Sequence, residues 1–170
     1  MSESAQLQEI LDRLRNRFYG KYRGTVVDVD ASNMAVKATV PAVLGLTPTG
    51  WCLPCVPYAG PQVGFCMLPD LGANVWIEFE GGDVSKPIWA GCFWLASDIP
   101  GSADAAVKSI ITQAGTLAFD TNQSSITATG AQSQTVVLDA QGVTATAGSG
   151  SVAVASSGVT INSGAMVITP

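Results

Sequence analysis

The sequence contains no histidine and has few charged or aromatic residues. Histidine is the commonest general base at neutral pH and a frequent metal ligand, so its absence removes the usual centre of hydrolytic and zinc chemistry. The 13 acidic residues outnumber the 8 basic ones, which argues against a nucleic-acid binder, since neutralised phosphates supply most of that affinity. No run of about 18 apolar residues predicts a membrane-spanning helix. The charged N-terminal stretch lacks the apolar segment of a signal peptide, so we expect cytoplasmic synthesis without secretion.

The composition changes sharply near residue 109. All basic residues, all cysteines and all tryptophans lie before it. The last 62 residues carry only two charges, Asp120 and Asp139, and one aromatic residue, Phe119. A stretch with a Pro-Gly pair separates the two parts and is typical of a linker. These changes divide the chain into an N-terminal helix (1–20), a small β domain (21–96), a linker (97–108) and a C-terminal β segment (109–170).

Apolar residues recur at helical spacing in the N-terminal segment. They are Leu7, Ile10, Leu11, Leu14 and Phe18. This stripe predicts an amphipathic helix of about four turns, with acidic side chains early and arginines late, as the helix dipole favours. The helix either packs on its own domain or docks on a partner subunit, and the sequence leaves both open.

Short segments rich in β-branched and aromatic residues follow, each bounded by Asn, Pro, Gly or Asp. They are YRGTVVDVD, MAVKATVP, GFCMLP, NVWIEFE and KPIWAGCFW. In NVWIEFE, the apolar Val75, Ile77 and Phe79 alternate with the residues between them, so one face is expected to be buried. Five strands in about 75 residues suggest a small barrel of the oligonucleotide/oligosaccharide-binding (OB) type.

The C-terminal segment repeats with a period of 16 residues. TVVLDAQGVTATAGSG, 135–150, aligns with SVAVASSGVTINSGAM, 151–166. The period predicts strand, Gly turn, strand, Gly turn, as in a β-solenoid or stacked array. A disordered tail is the alternative for this composition, but disorder does not require aliphatic residues at matching phases.

The side chains of this repeat are too small for one thin ribbon to bury a core of its own. We therefore predict a homo-oligomer with threefold symmetry, in which three chains wind into an intertwined β-helix and bury the aliphatic residues along a common axis. Which alternate face points inward stays open. The predicted core residues are Val136, Leu138, Val143, Val152, Val154, Val159, Ile161, Val167 and Ile168.

The run LPDLGANVWIEFEGGDVSKPIWAGCFW, 68–94, resembles the OB domain at the base of the central spike proteins of contractile injection machines. These include phage baseplate assembly protein V, the hubs of extracellular contractile injection systems and the valine-glycine repeat proteins of type VI secretion. The resemblance extends over about residues 20–95 and includes a W-x-x-P segment upstream. Its landmarks are Trp51, Pro69, Gly72, Trp76, Phe79, Gly81, Gly82, Asp83, Pro87, Trp89 and Gly91.

The resemblance implies a structural protein without enzymatic activity, cofactor or bound nucleic acid. In such machines a homotrimer of OB domains caps the inner tube at the baseplate of a phage tail or extracellular particle, and contraction drives its β-needle through the target cell envelope. Paired histidines that bind iron at some spike tips are missing from INSGAMVITP, the end of this sequence. A separate tip protein of the PAAR-repeat class is therefore a possible cap. The alternative is an OB-type module that binds carbohydrate or nucleic acid and carries a flexible tail.

Some relatives carry a lysozyme-like domain between the barrel and the needle. Here the connection, 95–108, is too short for one. Glu78, Glu80 and Asp83 are therefore not expected to act as the acid pair of a glycoside hydrolase. Glu78 and Glu80 share one strand face and are expected to be solvated or to contact a partner.

The stretch GWCLPCVP, 50–57, has the form of a thioredoxin-like redox motif. That activity needs Cys52 at the N-terminus of a helix, whose dipole lowers the thiol pKa, but the prolines and glycine after Cys55 disfavour a helix. A structural zinc site is a second alternative, although the spacing gives only one close pair of ligands. We expect small buried or half-buried thiols, or disulfides formed later in an extracellular particle, at Cys52, Cys55, Cys66 and Cys92.

Overall fold

A computed structural model describes residues 6–8, 11, 17–101 and 103–169. The chain divides into two units, Met1–Ile99 and Pro100–Pro170. Residues 6–8 and 11 are helical, and residues 1–5, 9, 10 and 12–16, including Ile10 and Leu14, lie outside the described residues. The prediction that the helix extends to residue 20 was wrong, because residues 17–20 are not helical and the Phe18 N–H donates to the Gly82 carbonyl (2.9 Å). Among the residues described, no helix is both long enough and apolar enough to cross a membrane.

The first unit contains seven strands among its described residues: β1 (Tyr22–Asp30), β2 (Ala35–Thr39), β3 (Leu53–Pro54), β4 (Ala59–Gly60), β5 (Val63–Gly64), β6 (Asn74–Phe79) and β7 (Pro87–Cys92). Five of them form a sheet in the order β2-β1-β6-β7-β3. Strand β3 runs parallel to β7 and the other pairs are antiparallel, while β4 and β5 form a separate hairpin. This sheet fits the OB fold, and the prediction of a mainly β protein is confirmed.

The prediction of a strand over GFCMLP was wrong. Strand β5 ends at Gly64, and no strand covers residues 65–70. The partner strand β4 lies between Pro57 and Pro61, neither of which has an N–H group to donate to a ladder. Strand β5 therefore finds a partner over two residues only.

One face of strand β6 packs into the core of the first unit. As predicted, Val75, Ile77 and Phe79 are buried and Trp76 and Glu78 are half-exposed. Alternation along a pleated strand places these two sets on opposite faces. The core cluster comprises Val26, Val36, Ala38, Val40, Cys52, Val75, Ile77, Phe79 and Trp89.

One polar side chain, Thr49, is buried beside this core. Its hydroxyl accepts a hydrogen bond from the backbone N–H of Ala38 (3.1 Å), and its own N–H donates to the Ala38 carbonyl (2.9 Å). Paired in this way, it does not carry the penalty of an unsatisfied buried group. These bonds fasten the segment that follows the one-turn helix Pro41–Leu44 to strand β2.

A tight turn over Glu80–Gly82 joins β6 to β7. Gly81 and Gly82 have φ values of 58° and 76°, in the left-handed region that glycine adopts at no steric cost. Asp83 accepts hydrogen bonds from the backbone N–H and the hydroxyl of Ser85, and these bonds lower the pKa of the Asp83 carboxyl. The carboxylate thus closes the loop before β7.

The second unit is an eight-stranded antiparallel meander in which every strand pairs with the next one in the chain. Strands β11 to β14 are the strand–turn–strand–turn pattern that the 16-residue period predicts, and three further strands precede them. The first of these begins at Val107, within the segment predicted to be a linker. The strands are β8 (Val107–Thr112), β9 (Gly115–Asp120), β10 (Ser125–Gly130), β11 (Thr135–Asp139), β12 (Gly142–Ala147), β13 (Gly150–Ala155), β14 (Gly158–Ile161) and β15 (Met166–Ile168).

The repeated glycine of the 16-residue unit has a steric cause. Gly142 begins β12 with φ +136°, and a Cβ atom there would lie 2.1 Å from the carbonyl oxygen of Val154. Gly158, its equivalent one repeat later, meets the carbonyl of Ile168 at 2.2 Å. No side chain fits such a distance, so the close approach of consecutive strands fixes glycine at this position of the repeat.

Candidate functional site

The strand register of the second unit brings eight of the nine predicted core residues onto one face. Residues directly opposite each other in paired strands share a face, and the pairings run unbroken from β11 to β15. We call this side the apolar face. Its first row contains Val136, Val152 and Ile161, and its second row contains Leu138, Val143, Val154, Val159 and Ile168.

Val167 lies on the opposite face, where it pairs with Thr160. Neighbouring residues of a strand point to opposite sides, so Val167 and Ile168 do not share the apolar face. Met166 pairs with Ile161 and continues the first row instead. Period-two alternation within β15 is the sequence signal that identifies Met166.

The apolar face also continues into strands that the 16-residue repeat does not cover. Ile110 and Leu117 extend the first row, and Phe119 and Ile126 extend the second. The alignment of the two 16-residue repeats does not include these residues, because β8 to β10 do not follow the 16-residue period. Lys108 ends the second row at the edge strand β8.

The apolar face is open to solvent. Val136, Val152 and Val154 are 40%, 41% and 48% exposed, and none of the described residues between 103 and 169 is buried. A shallow depression of about 850 Å³, largely open to solvent, lies along its first row. A soluble chain rarely leaves so continuous an apolar surface uncovered, so this face is the candidate functional site of the second unit.

The opposite face of the same meander is rich in hydroxyl groups. Thr127, Thr144 and Thr160 lie in one of its rows, and Thr129, Thr135 and Thr146 lie in the next. The two charged residues of the C-terminal segment lie at strand ends, and Asp120 and Asp139 accept hydrogen bonds from backbone N–H groups of the turns. The sheet is therefore amphipathic, with its negative charges kept at the turns.

Cys52 is fully buried, and among the described residues no basic side chain contacts it. Its backbone bridges to Val36, and its Sγ lies 3.2 Å from the Thr49 hydroxyl and 3.7 Å from the Gly50 carbonyl. Burial raises the pKa of the Cys52 thiol, whereas a redox nucleophile needs a lowered one. The segment after Cys55 forms no helix, so the structure does not support the redox reading.

The other three cysteines, Cys55, Cys66 and Cys92, are exposed free thiols. Cys52 meets the expectation of a buried thiol, whereas these three are more exposed than expected; their pairing in disulfides formed later, in an extracellular particle, stays a prediction. Burial of part of the side chain raises the pKa of the Cys92 thiol as well. No group of three or more Cys, Asp or Glu side chains within the described part of the chain is placed to hold a metal ion.

The landmark residues of the first unit act as structural parts of the sheet. Trp89 is buried in the core, Gly72 donates its N–H to the Val26 carbonyl (2.9 Å), and Gly91 has a φ of +130°. Pro69 and Pro87 are buried at the approaches to β6 and β7.

Two of the landmark tryptophans stack with cations at the surface. The Lys37 Nζ lies 4.2 Å from the Trp51 ring centre and 3.2 Å from Asp28 Oδ2. The Arg23 guanidinium covers Trp76, at 5.7 Å from its ring centre. Such contacts are stabilising by about 0.5–1 kcal/mol at exposed sites and fix the orientation of the rings.

Two of the three carboxylates near the β6–β7 turn have structural partners. Glu78 forms an ion pair with Lys21 at 2.8 Å, and Asp83 is bonded to Ser85. These contacts hold the ends of the β6–β7 hairpin.

Comparison with known proteins identifies the first unit. Residues 22–94 match the family model of the type VI secretion system/phage-baseplate injector OB domain, and no curated protein was found to match the chain. The matched range begins with β1 and ends two residues after β7, so it contains the whole five-stranded sheet. Proteins of this family are structural components of the baseplate. The resemblance seen in the sequence is thereby confirmed for residues 22–94, which match the OB domain of phage-baseplate and type VI secretion injectors.

Proposed function

We propose that this protein is the central spike of a contractile tail or injection machine. Three copies seat their OB domains (21–96) on the inner tube at the baseplate, and their C-terminal segments (109–170) wind into an intertwined β-helix. Contraction of the sheath drives this needle through the target cell envelope. The observation that supports the proposal best is the apolar face, because the second unit forms eight strands and buries no described residue.

Burial of the apolar face supplies the free energy for association. It carries about a dozen large apolar side chains already half-covered, and completing their burial contributes about 1 kcal/mol each, on the order of 10 kcal/mol per chain. Association costs about 4–15 kcal/mol in lost translational and rotational freedom. A trimer gains the burial term three times and pays the association cost twice, so burial of the apolar face is large enough to drive assembly.

The charge distribution of the second unit supports the same arrangement. Burying an unpaired charge is expensive, and Asp120 and Asp139 lie at the turns instead of on the apolar face. Lys108 lies on the edge strand, from which a long side chain can reach solvent. The hydroxyl-rich face then forms the outer wall of the needle, since threonine hydroxyls hydrogen-bond to water.

The exposed edge strand β15 supports the proposal of a separate tip protein. Strand β15 is an edge of the sheet, and Met166 and Ile168 on its apolar face are more than half exposed. An exposed apolar edge strand is a template for pairing with another chain. We propose that a small protein of the PAAR-repeat class covers it; a purified trimer with a self-closed apex and no exposed apolar edge would contradict this cap.

The oligomeric state of the full chain tests the spike proposal. Light scattering after gel filtration is expected to give a trimer that resists SDS, and Val152→Asp on the apolar face is expected to dissociate it. Ala153→Asp is the matched control: this neighbouring residue lies on the hydroxyl-rich face of the same strand, so the trimer is expected to persist. A wild-type monomer whose residues after 100 are rapidly cleaved by protease would refute the spike and favour a carbohydrate- or nucleic-acid-binding module.

A further inference from the structure

The first unit contains a long segment without charge. Residues 38–69, between Lys37 and Asp70, include no Asp, Glu, Lys or Arg, although much of this segment lies at the surface. Charged residues normally make up about a quarter of a globular domain, so their absence over such a length marks an unusual surface. Seven large apolar side chains of the segment are exposed: Leu46, Trp51, Leu53, Tyr58, Val63, Phe65 and Met67.

Part of this surface is a recess, which we call the uncharged groove. It encloses about 810 Å³ beside the β4–β5 hairpin. Tyr58, Val63 and Phe65 line it and are 59%, 54% and 45% exposed. Charged side chains are missing from its lining, which is completed by Met34, Pro54, Val56, Ala59, Gly60, Gln62, Gly64 and Cys66.

A second part of the segment projects instead of receding. Leu46 is 91% exposed, on the turn that follows the helix Pro41–Leu44. The turn is held at both ends, since the Thr47 N–H donates to the Leu44 carbonyl (3.2 Å) and Thr49 is bonded to β2. A fixed backbone therefore presents a nearly bare leucine side chain to solvent.

We propose that the Leu46 turn of one copy of the chain inserts into the uncharged groove of the next copy, so that three such contacts close a ring of OB domains. This inference rests on the trimer of the proposed function. A ring of three uses two different patches in each interface, and this segment supplies both a projection and a recess. The partner is a second copy because apolar, charge-depleted surfaces distinguish permanent homo-oligomers from transient partners.

The short connection between the two units also favours a second copy of the chain as the partner. Only residues 93–106 separate β7 from β8, and 14 residues span at most about 50 Å. Copies joined along their second units therefore hold their OB domains at effective concentrations in the millimolar range. At such concentrations, a contact smaller than the standard of about 800 Å² per partner is sufficient for stable pairing.

A disulfide between copies tests this contact directly. Leu46→Cys is introduced into a chain in which Cys55 and Cys92 are replaced by serine, so that Cys66 of the groove is the accessible partner and Cys52 stays buried in the core. Mild oxidation of the trimer is expected to give covalent dimers and trimers on a non-reducing gel, and further replacement of Cys66 by serine is expected to abolish them. Leu71→Cys, with a side chain 68% exposed just outside the uncharged segment, is the matched control and is expected to remain uncrosslinked.

A second readout uses the unmodified chain. Alkylation of Cys66 is expected to be at least tenfold slower in the wild-type trimer than in the Val152→Asp monomer. A trimer in which Cys66 reacts at the monomer rate and Leu46→Cys forms no crosslink would overturn the groove contact and leave the spike proposal standing. A crosslink that survives the loss of Cys66 would also overturn it, because it would join two Leu46 turns. A monomeric wild type would overturn both proposals.

Discussion

Replacing Gly142 by alanine tests the steric reason for the 16-residue repeat. The added Cβ would lie 2.1 Å from the Val154 carbonyl oxygen, so strands β12 and β13 must separate at this end. A backbone conformation restricted to glycine costs about 1–3 kcal/mol, and each ladder hydrogen bond lost on separation costs about 1 kcal/mol more. We expect a loss of about 3–5 kcal/mol in the free energy of unfolding of the second unit.

Gly148→Ala is the matched control for this substitution. Gly148 also has a positive φ, +58°, but its added Cβ would meet no atom within 4 Å. A left-handed alanine costs about 1–2 kcal/mol, so the two variants are expected to differ by about 2–3 kcal/mol, taken from the centres of the two ranges. At about 4–8 °C per kcal/mol for a unit of this size, the midpoints of thermal unfolding differ by about 10 °C or more.

Hydrogen exchange of peptides covering β12 and β13 is the appropriate assay, because the second unit contains no tryptophan. Both variants are compared with the wild type at one protein concentration, since association makes the melting temperature concentration-dependent. Equal protection and melting temperatures for the two alanine variants would refute the reasoning, because the carbonyl overlap is the feature that separates them.

Three further predictions concern the first unit. Thr49→Val leaves a buried backbone N–H without an acceptor and is expected to lower stability by about 1–3 kcal/mol, measured by urea unfolding with tryptophan fluorescence. Burial raises the pKa of the Cys52 thiol, so the buried neutral thiol stabilises the fold fully below the pKa of an unfolded thiol, and this stabilisation is lost as pH rises towards the raised pKa. The urea midpoint of Cys52→Ala is therefore expected to fall less between pH 7 and pH 10 than that of the wild type. Lys37→Met removes the cation stacked on Trp51 and is expected to lower the free energy of unfolding by about 0.5–1 kcal/mol. High salt weakens this contact in the wild type, so the difference between the two proteins is expected to narrow; an unchanged urea midpoint in the variant would contradict the prediction.

Local side-chain patterns made much of the fold predictable. The alternation of Val75, Ile77 and Phe79 identified a strand with one buried face because burial follows the two-residue period of the pleat. The 16-residue repeat likewise identified β11 to β14, since its glycines are fixed by the approach of neighbouring strands. These features depend on residues close together in the chain.

Features that depend on a distant or absent partner were harder to predict. Strand β5 is short because prolines limit its partner β4, and the segment GFCMLP carries no sign of that limit. The exposure of Cys55, Cys66 and Cys92 depends on which surfaces the sheet leaves uncovered. The repeat also gave no indication of the apolar residues of β8 to β10, which join the same face only through strand register.

The meander gives the second unit an adjustable length. Every strand pairs only with its neighbours in sequence, so no long-range contact specifies how many strands there must be. One 16-residue repeat adds two strands, and neighbouring strands lie about 4.8 Å apart, so each insertion or deletion of a repeat changes the extent of the sheet by about 10 Å. Reach can therefore evolve in discrete steps by duplication of a short stretch of sequence, without any change to the OB domain.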